Sequence, residues 1–282
     1  MLMRSRQPNV QHMKDRLTPF ILVVDGDNTL WDTNAVFEYA QLNMLSNLKK
    51  ENLNIDPVSG FSILREFDDV LVKHYNRREY DFSVLALSLY LFFRGLERDE
   101  AIRRAREAFD NRLDVEGMNV AKECGNKFKK DMRNFPPLFD DVKETLEDLR
   151  RQGCVVILSS EGDKERVRRI VKYHSIDRCV DFILNEEKSV EQFEEARKLG
   201  IRVWRRSHPR VDIIPETIVI GDLLDRDIKF GNLIGATTIY KPGGYKGHQR
   251  PRNKDEIPAY EIREMNEVAN VLLRLKRKHS SA

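Results

Sequence analysis

The chain has 282 residues, 40% of them hydrophobic and 34% charged, which is typical of a globular protein with a sizeable core and a highly charged surface. Its 49 basic and 46 acidic residues leave a formal net charge of +3, which is too balanced to indicate nucleic-acid binding. The three cysteines show no metal-like spacing, and their odd number argues against a disulfide framework. We therefore expect the protein to reside in a reducing cytoplasm.

The chain shows no segment that predicts membrane attachment. Its longest apolar stretch, Phe82 to Phe93, is well short of the about 20 residues that a membrane span needs. Residues 1–18 are polar and basic and lack the apolar segment of a secretory signal, so they predict a loosely packed arm.

Five short apolar runs, rich in Val and Ile, predict strands. They are Phe20–Val24, Cys154–Leu158, Val180–Leu184, Thr217–Ile220 and Thr237–Tyr240. The runs are mostly continuous rather than alternating, which is typical of strands buried on both faces of a parallel sheet. Helical patterns separate the last four runs, at Lys164–Tyr173 and Val190–Leu199 among others. This order predicts an α/β fold with a doubly wound, Rossmann-like parallel sheet.

The interval between the first two runs is several times longer than a crossover requires, which predicts an inserted domain. Helical spacing recurs along it, in Val36–Leu48, Phe61–Tyr75, Phe82–Phe93 and Asp99–Phe109. Pro136-Pro137 marks its end, because consecutive prolines stop helices. We therefore predict an α/β core over residues 1–32 and 137–282 and an α-helical cap domain over residues 33–136. A last amphipathic helix is predicted over Glu261–Lys276.

Polar residues follow the predicted strands. They are Asp25 and Asp27 after the first, Ser159 and Ser160 after the second, Lys188 after the third, and Asp222 and Asp227 after the fourth. Ligands of an open parallel sheet bind outside the carboxyl ends of its strands, so we expect these side chains on one edge. Each close pair of carboxylates would repel by about 4 kcal/mol at an effective dielectric constant near 20. A divalent cation would relieve this repulsion, because such cations bind carboxylate oxygens.

These residues carry a resemblance to the haloacid dehalogenase-like hydrolase superfamily, of the phosphatase type. Asp25, Asp27 and Thr29 match its DxDxT/V motif, and Asp222 with Asp227 matches its GDxxxxD motif. Ser160 and Lys188 match the hydroxyl and the lysine that the family places between those motifs, and residues 33–136 match its inserted helical cap.

The resemblance implies a role for each of these residues. Asp25 would attack phosphorus to form an aspartyl-phosphate, while Asp27 would protonate the leaving alcohol and then deprotonate the hydrolytic water. Thr29, Ser160 and Lys188 would bind the phosphate. The implied Mg²⁺ ligands are Asp25, Asp222, Asp227 and the main-chain carbonyl of Asp27. The expected function is therefore Mg²⁺-dependent hydrolysis of a small soluble phosphorylated metabolite.

Several alternatives stay open at this point. Ser159 competes with Ser160, and Arg205 competes with Lys188 for the cationic role. Glu161 stands where the family usually has Asn and would add a negative charge near the phosphate. A haloacid dehalogenase would need the nucleophile but not Asp27, and a non-catalytic binding protein could keep the same fold. The substrate and the oligomeric state stay open as well.

The basic residues that follow the fifth strand form a separate group. They are Lys241, Lys246, Arg250 and Arg252. They could rim the active site, but the polar composition of the loop favours their being solvated.

Overall fold

The computed structural model describes residues 20–75, 80–209, 213–243 and 248–281. It divides into two compact units. The described residues up to Thr33 and those from Pro136 onward form the first, here called the sheet unit, and Asn34–Phe135 form the second, here called the helical unit. The arm predicted over residues 1–18 lies outside the described residues, and so does Lys246. None of the described helices combines the length and the apolar character that crossing a membrane would require.

The strands and α-helices follow one another along the chain in a regular order. They are β1 (Phe20–Asp25), α1 (Thr33–Lys49), α2 (Pro57–Tyr75), α3 (Phe82–Phe93), α4 (Arg98–Asp110), α5 (Met118–Asp131), α6 (Val142–Arg151), β2 (Val155–Ser159), α7 (Lys164–Tyr173), β3 (Phe182–Leu184), α8 (Val190–Ser207), β4 (Glu216–Gly221), α9 (Lys229–Leu233), β5 (Thr237–Tyr240), β6 (Tyr260–Glu261) and α10 (Val268–Ser281).

The described strands form one six-stranded parallel sheet in the order β3-β2-β1-β4-β5-β6. This arrangement confirms the predicted fold class. Every residue of β1 and β2 is buried, as expected for strands with apolar residues on both faces. Asp25 pairs with Ser159 of β2, and Gly221 at the end of β4 pairs with Tyr240 of β5. The carboxyl ends of four neighbouring strands therefore lie at the same edge.

The edges of the sheet differ from the sequence-based prediction. Strand β3 is limited to Phe182–Leu184, whereas the apolar run predicted Val180–Leu184. Asp181 explains the difference, because its carboxylate accepts the Val156 N–H at 2.9 Å, a bond that a longer ladder would use. Strand β6 was not predicted, since its two residues carry no apolar run.

The last helix also begins later than predicted, at Val268 rather than Glu261. Glu261 belongs to β6, and a 3₁₀ turn over Met265–Glu267 leads into the helix. The Glu267 carboxylate accepts the main-chain N–H groups of Arg263 and Glu264, at 2.8 and 3.0 Å. This capping arrangement satisfies donors at the start of the helix, which explains where it begins.

The helical unit has its own apolar core. Residues Phe82 to Tyr90 of α3 are all buried, so the longest apolar stretch of the chain is core. Helix α5, which was not predicted, crosses α3 closely at Gly125. A Cβ added to Gly125 would lie 2.2 Å from Ser83 Oγ and 2.6 Å from the Ser83 main-chain nitrogen. Only a residue without a side chain allows this approach.

Candidate active site

The turn after β1 places Asp25 and Thr29 beside each other. Asp25 is the last residue of β1 and is buried. The carbonyl of Gly26 accepts the N–H groups of Leu30 and Trp31 at 2.9 and 3.2 Å, which folds the chain back tightly. Thr29 Oγ1 then donates to Asp25 Oδ2 at 3.3 Å. Thr29 therefore contacts the carboxylate that the sequence predicts to be the nucleophile.

Lys188 reaches the same carboxylate from the loop before α8. Its Nζ lies 2.5 Å from Asp25 Oδ1 and 2.7 Å from Asp227 Oδ1, and its side chain is only 3% exposed. Ser189 caps α8 by accepting the Gln192 N–H at 3.2 Å, which fixes the start of the helix next to Lys188. Arg205, the alternative cation, is exposed in the last turn of α8, about 22 Å from Val190 at the start of the helix, at a rise of 1.5 Å per residue.

Asp222 and Asp227 lie in an irregular turn that follows β4. Residues Leu224–Ile228 form a π-helical turn, a feature often found at functional sites. The Asp227 carboxylate accepts the Leu223 N–H at 3.2 Å. It also packs against the Gly221 backbone so closely that an added Cβ would lie 2.2 Å from Asp227 Cγ. Carboxylate oxygens of Asp25, Asp222 and Asp227 all lie within 4.8 Å of one another.

This cluster carries more negative than positive charge. Burial raises the pKa of Asp25 well above its usual value; Lys188 opposes this rise, and the neighbouring aspartates add to it. Burial and Asp227 raise the pKa of Asp222 to about 7. Burial alone would lower the pKa of Lys188, but Asp227 and Asp25 hold it above its ordinary value. Three carboxylates around one ammonium favour a proton or a further cation at this site.

Asp27 takes a different position from these three aspartates. Its Oδ1 accepts hydrogen bonds from Trp31 Nε1 at 3.2 Å and from the Thr33 hydroxyl. Among the described residues, the carboxylates that gather within metal-binding distance are those of Asp25, Asp222 and Asp227. The Asp27 side chain is thus held outside the carboxylate cluster.

The two serines at the carboxyl end of β2 have separate partners. The Ser159 hydroxyl and the Gln192 side-chain amide hydrogen-bond each other, with Gln192 Nε2 donating to Ser159 Oγ at 3.0 Å. The Ser160 hydroxyl accepts the Gly162 N–H at 3.1 Å. Both serines are buried, and the assignment of the phosphate-binding role to Ser160 stays a prediction.

Both carboxylate oxygens of Glu161 have partners near the site. Its Oε1 accepts the main-chain N–H of Lys188 at 3.0 Å, and its other oxygen pairs with the Arg226 guanidinium. Glu161 thereby links the loop after β2 to the residue before Asp227. The guanidinium compensates the charge that the sequence places near the expected phosphate.

Lys241 contradicts the expectation that the basic residues after β5 are solvated. It is only 4% exposed, and burial lowers its pKa. Its Nζ donates to the main-chain carbonyl of Asn28 at 3.4 Å and lies 3.7 Å from the centroid of the Phe139 ring. Sequence reasoning missed this residue because nothing in a polar loop marks one lysine as buried; its position directly after a strand is the signal that was available. Arg250 and Arg252 are exposed, as expected.

Comparison with known proteins finds a matching family model, two relatives in sequence and a similar solved structure. A family model described as haloacid dehalogenase-like hydrolase matches residues 21–235, which is more than half of the chain. The chain is 24% identical over 264 residues to a glyceraldehyde 3-phosphate phosphatase of Methanopyrus kandleri, covering 90% of this chain and 97% of that protein. It is 23% identical over 257 residues to a glyceraldehyde 3-phosphate phosphatase of Pyrococcus furiosus, covering 90% and 93%. A solved structure of a HAD-hydrolase from Bacillus subtilis, bound to magnesium, is 19% identical with a TM-score of 0.55, covering 91% and 99%.

Proposed function

Because the chain belongs to the haloacid dehalogenase-like hydrolase family, we propose that it is a magnesium-dependent phosphatase acting on a small phosphorylated metabolite. The observation that carries this proposal is the buried cluster of Asp25, Asp222 and Asp227 around Lys188. A dehalogenase needs the nucleophile but has no use for a carboxylate set that calls for a metal. A binding protein would have no reason to bury so much unbalanced charge.

The donor set of the cluster fits Mg²⁺. It offers carboxylate oxygens within 4.8 Å of one another, and Mg²⁺ prefers oxygen ligands, including one or two carboxylates and substrate phosphate. Asp25, Asp222 and Asp227, with the main-chain carbonyl of Asp27, would hold it, and Lys188 pairs with Asp25 and Asp227 beside it. When bound, the ion neutralises charge that develops on the transferring phosphoryl group.

The residues of the chain then divide the chemistry. Asp25 would attack phosphorus with one of its carboxylate oxygens, forming an acyl phosphate as the bond to the leaving alcohol breaks. Asp27 would give its proton to that alcohol and then take one from the water that cleaves the acyl phosphate. Lys188, in contact with Asp25, would hold a phosphoryl oxygen beside the nucleophile. Thr29, in contact with the same carboxylate, and Ser160 would complete the phosphate site.

The relatives suggest the first substrate to test. Both curated relatives are named for glyceraldehyde 3-phosphate, a small phosphorylated sugar. A panel of sugar phosphates, nucleotides and phosphoamino acids, with this compound included, would identify the preferred substrate class.

The decisive experiment measures phosphate release from an aryl phosphate and from glyceraldehyde 3-phosphate, with Mg²⁺ and with EDTA. Wild type is compared with Asp25→Asn, and Asp177→Asn serves as the matched control because Asp177 is exposed. We expect Mg²⁺-dependent turnover in wild type and in the control, and a loss of at least about a thousandfold in Asp25→Asn. Asparagine cannot form the acyl phosphate, and it also removes a buried charge, so the variant should stay folded.

Three results would contradict this function. They are turnover that does not depend on Mg²⁺, an Asp25→Asn variant as active as wild type, and halide release from a 2-haloacid in place of phosphate release.

A further inference from the structure

Building on the proposed function, we propose that Lys241 is a positioning residue for the metal site. In this proposal Lys241 fixes Asn28, and Asn28 orients Asp222, one of the proposed metal ligands. Neither Lys241 nor Asn28 would touch the metal or the reacting atoms.

The Lys241 side chain is held in a buried place. The residue is 4% exposed, and its Nζ lies 3.7 Å from the Phe139 ring centroid, within the range of a cation–π contact. The same nitrogen donates to the Asn28 carbonyl at 3.4 Å. A buried ammonium is costly unless it has partners, so its position indicates a specific use.

Asn28 is fixed by contacts of both its backbone and its side chain. Its φ of 58° is left-handed, which asparagine tolerates better than most residues. Its N–H donates to the Trp31 carbonyl at 2.7 Å, and its own carbonyl accepts from Lys241. Its side chain hydrogen-bonds to the Asp222 carboxylate. The peptide planes on both sides of Asn28 are therefore pinned, and the side chain between them is aimed at Asp222.

These contacts also fix the carbonyl of Asp27. The Asp27 carbonyl and the Asn28 N–H belong to one planar trans peptide unit and point in opposite directions. Since the N–H is directed at Trp31, the carbonyl points away from Trp31. Through Asn28, Lys241 thus influences both the main-chain ligand at Asp27 and the carboxylate ligand at Asp222.

The segment that carries Lys241 packs directly on the same residues. The Lys241 N–H donates to the Gly221 carbonyl at 3.0 Å, which continues the pairing of β5 with β4. Two residues later, a Cβ added to Gly243 would lie 2.3 Å from Asp222 Oδ2 and 2.9 Å from Asn28 Cβ. Residues 241–243 therefore pack on Asp222 and Asn28 together, and Lys241 anchors this segment.

Removing Lys241 would change the metal affinity in opposite directions, depending on whether the residue acts by positioning Asn28 or by its charge. A positive charge near Asp222 repels a metal ion, so its loss alone would tighten metal binding. If Lys241 acts by positioning, its loss lets Asn28 and Asp222 relax, and metal binding weakens. Loss of a residue that supports a metal ligand typically lowers metal affinity by 10- to 100-fold.

The test titrates metal-free protein with Mn²⁺, followed by electron paramagnetic resonance, and measures Mg²⁺ activation in parallel. Lys241→Met removes the ammonium but keeps a flexible apolar chain against Phe139, and Lys241→Arg keeps the charge and the donor. Lys229→Met is the matched control, because Lys229 also lies over a phenylalanine ring, Phe230, at 5.8 Å, but is only half-buried. Circular dichroism and thermal melts without metal verify that each variant is folded.

We expect Lys241→Met to weaken Mn²⁺ binding by about tenfold and to raise the Mg²⁺ concentration for half-activation equally. KM at saturating Mg²⁺ should stay within twofold of wild type, Lys241→Arg should recover most of the affinity, and Lys229→Met should match wild type. Unchanged or tighter Mn²⁺ binding in Lys241→Met would overturn the proposal, and so would loss of its fold without metal. Failure of wild type itself to bind Mn²⁺ or to hydrolyse phosphomonoesters with Mg²⁺ would instead reject the proposed function.

Discussion

The ion pairs of Lys188 are the main electrostatic support of the site at the scale of single residues. Replacing Lys188 with Met would leave Asp25 and Asp227 buried without a cation. Removing one partner of a buried ion pair typically destabilises a protein by 3–5 kcal/mol. We expect a loss of about that size in the free energy of unfolding of Lys188→Met, measured by urea titration at pH 7 without metal.

The pH dependence of this loss follows from the raised pKa of Asp25. A carboxyl group whose pKa is higher in the folded than in the unfolded state stabilises the fold at low pH. That stabilisation is lost as the pH rises through the folded pKa. Without Lys188 the pKa of Asp25 rises further, so the variant should regain stability between pH 7 and pH 5 more than wild type does. Lys172→Met, at an exposed position, is the control, and a variant as stable as wild type at pH 7 would contradict this account.

Some residues of the site are predictable from the sequence and others are not, for a physical reason. Asp25 ends β1 and Asp222 directly follows β4, and the edge of a parallel sheet brings strand ends together whatever the intervening loops do. Lys241 and the Glu161–Arg226 pair depend on how loops pack on one another. Hydrophobic periodicity carries no information about that packing, so their contacts were found only in the structure.

At the scale of elements, the close crossing of α3 and α5 makes a quantitative prediction. Gly125→Ala would raise helix propensity by up to about 1 kcal/mol. Its Cβ would nevertheless lie 2.2 Å from Ser83 Oγ and 2.6 Å from a main-chain nitrogen, so the helices must separate. Overpacking of this kind costs about 1–3 kcal/mol. We therefore expect a net loss of stability in urea unfolding, while Asn126→Ala, at the exposed neighbouring position of α5, should be neutral or stabilising.

The elements that were predicted well differ from those that were missed by the strength of their local signal. Strands β1, β4 and β5 have continuous apolar runs, and each of their predicted bounds agrees with the structure within one residue. Strand β6 has two residues, and its pairing with β5 depends on the fold around it. Helix α5 has a polar sequence interrupted by Gly125, and its packing against α3 compensates for that weak propensity.

At the scale of the whole molecule, the described residues of the proposed site all belong to the sheet unit. The unit is assembled from two separated stretches of the chain, up to Thr33 and from Pro136 onward. Asp25 comes from the first stretch, whereas Lys188, Asp222 and Asp227 come from the second. A metal ion held by the carboxylates of Asp25, Asp222 and Asp227 would link both stretches, and its binding energy would therefore add to the folding stability of this unit.

This linkage predicts that Mg²⁺ raises the unfolding temperature of the protein. A ligand that binds only the folded state stabilises it by RT ln(1 + [L]/Kd), about 2.7 kcal/mol at a concentration of 100 Kd. Thermal melts with MgCl₂ should show a higher midpoint than melts with EDTA and NaCl at matched ionic strength, which controls for screening of surface charge. Asp222→Asn should lose most of this shift, because it removes a charged ligand from the cluster. It should also be at least as stable as wild type without metal, because it relieves the repulsion from Asp227. An equal shift in wild type and Asp222→Asn would mean that the ion binds elsewhere.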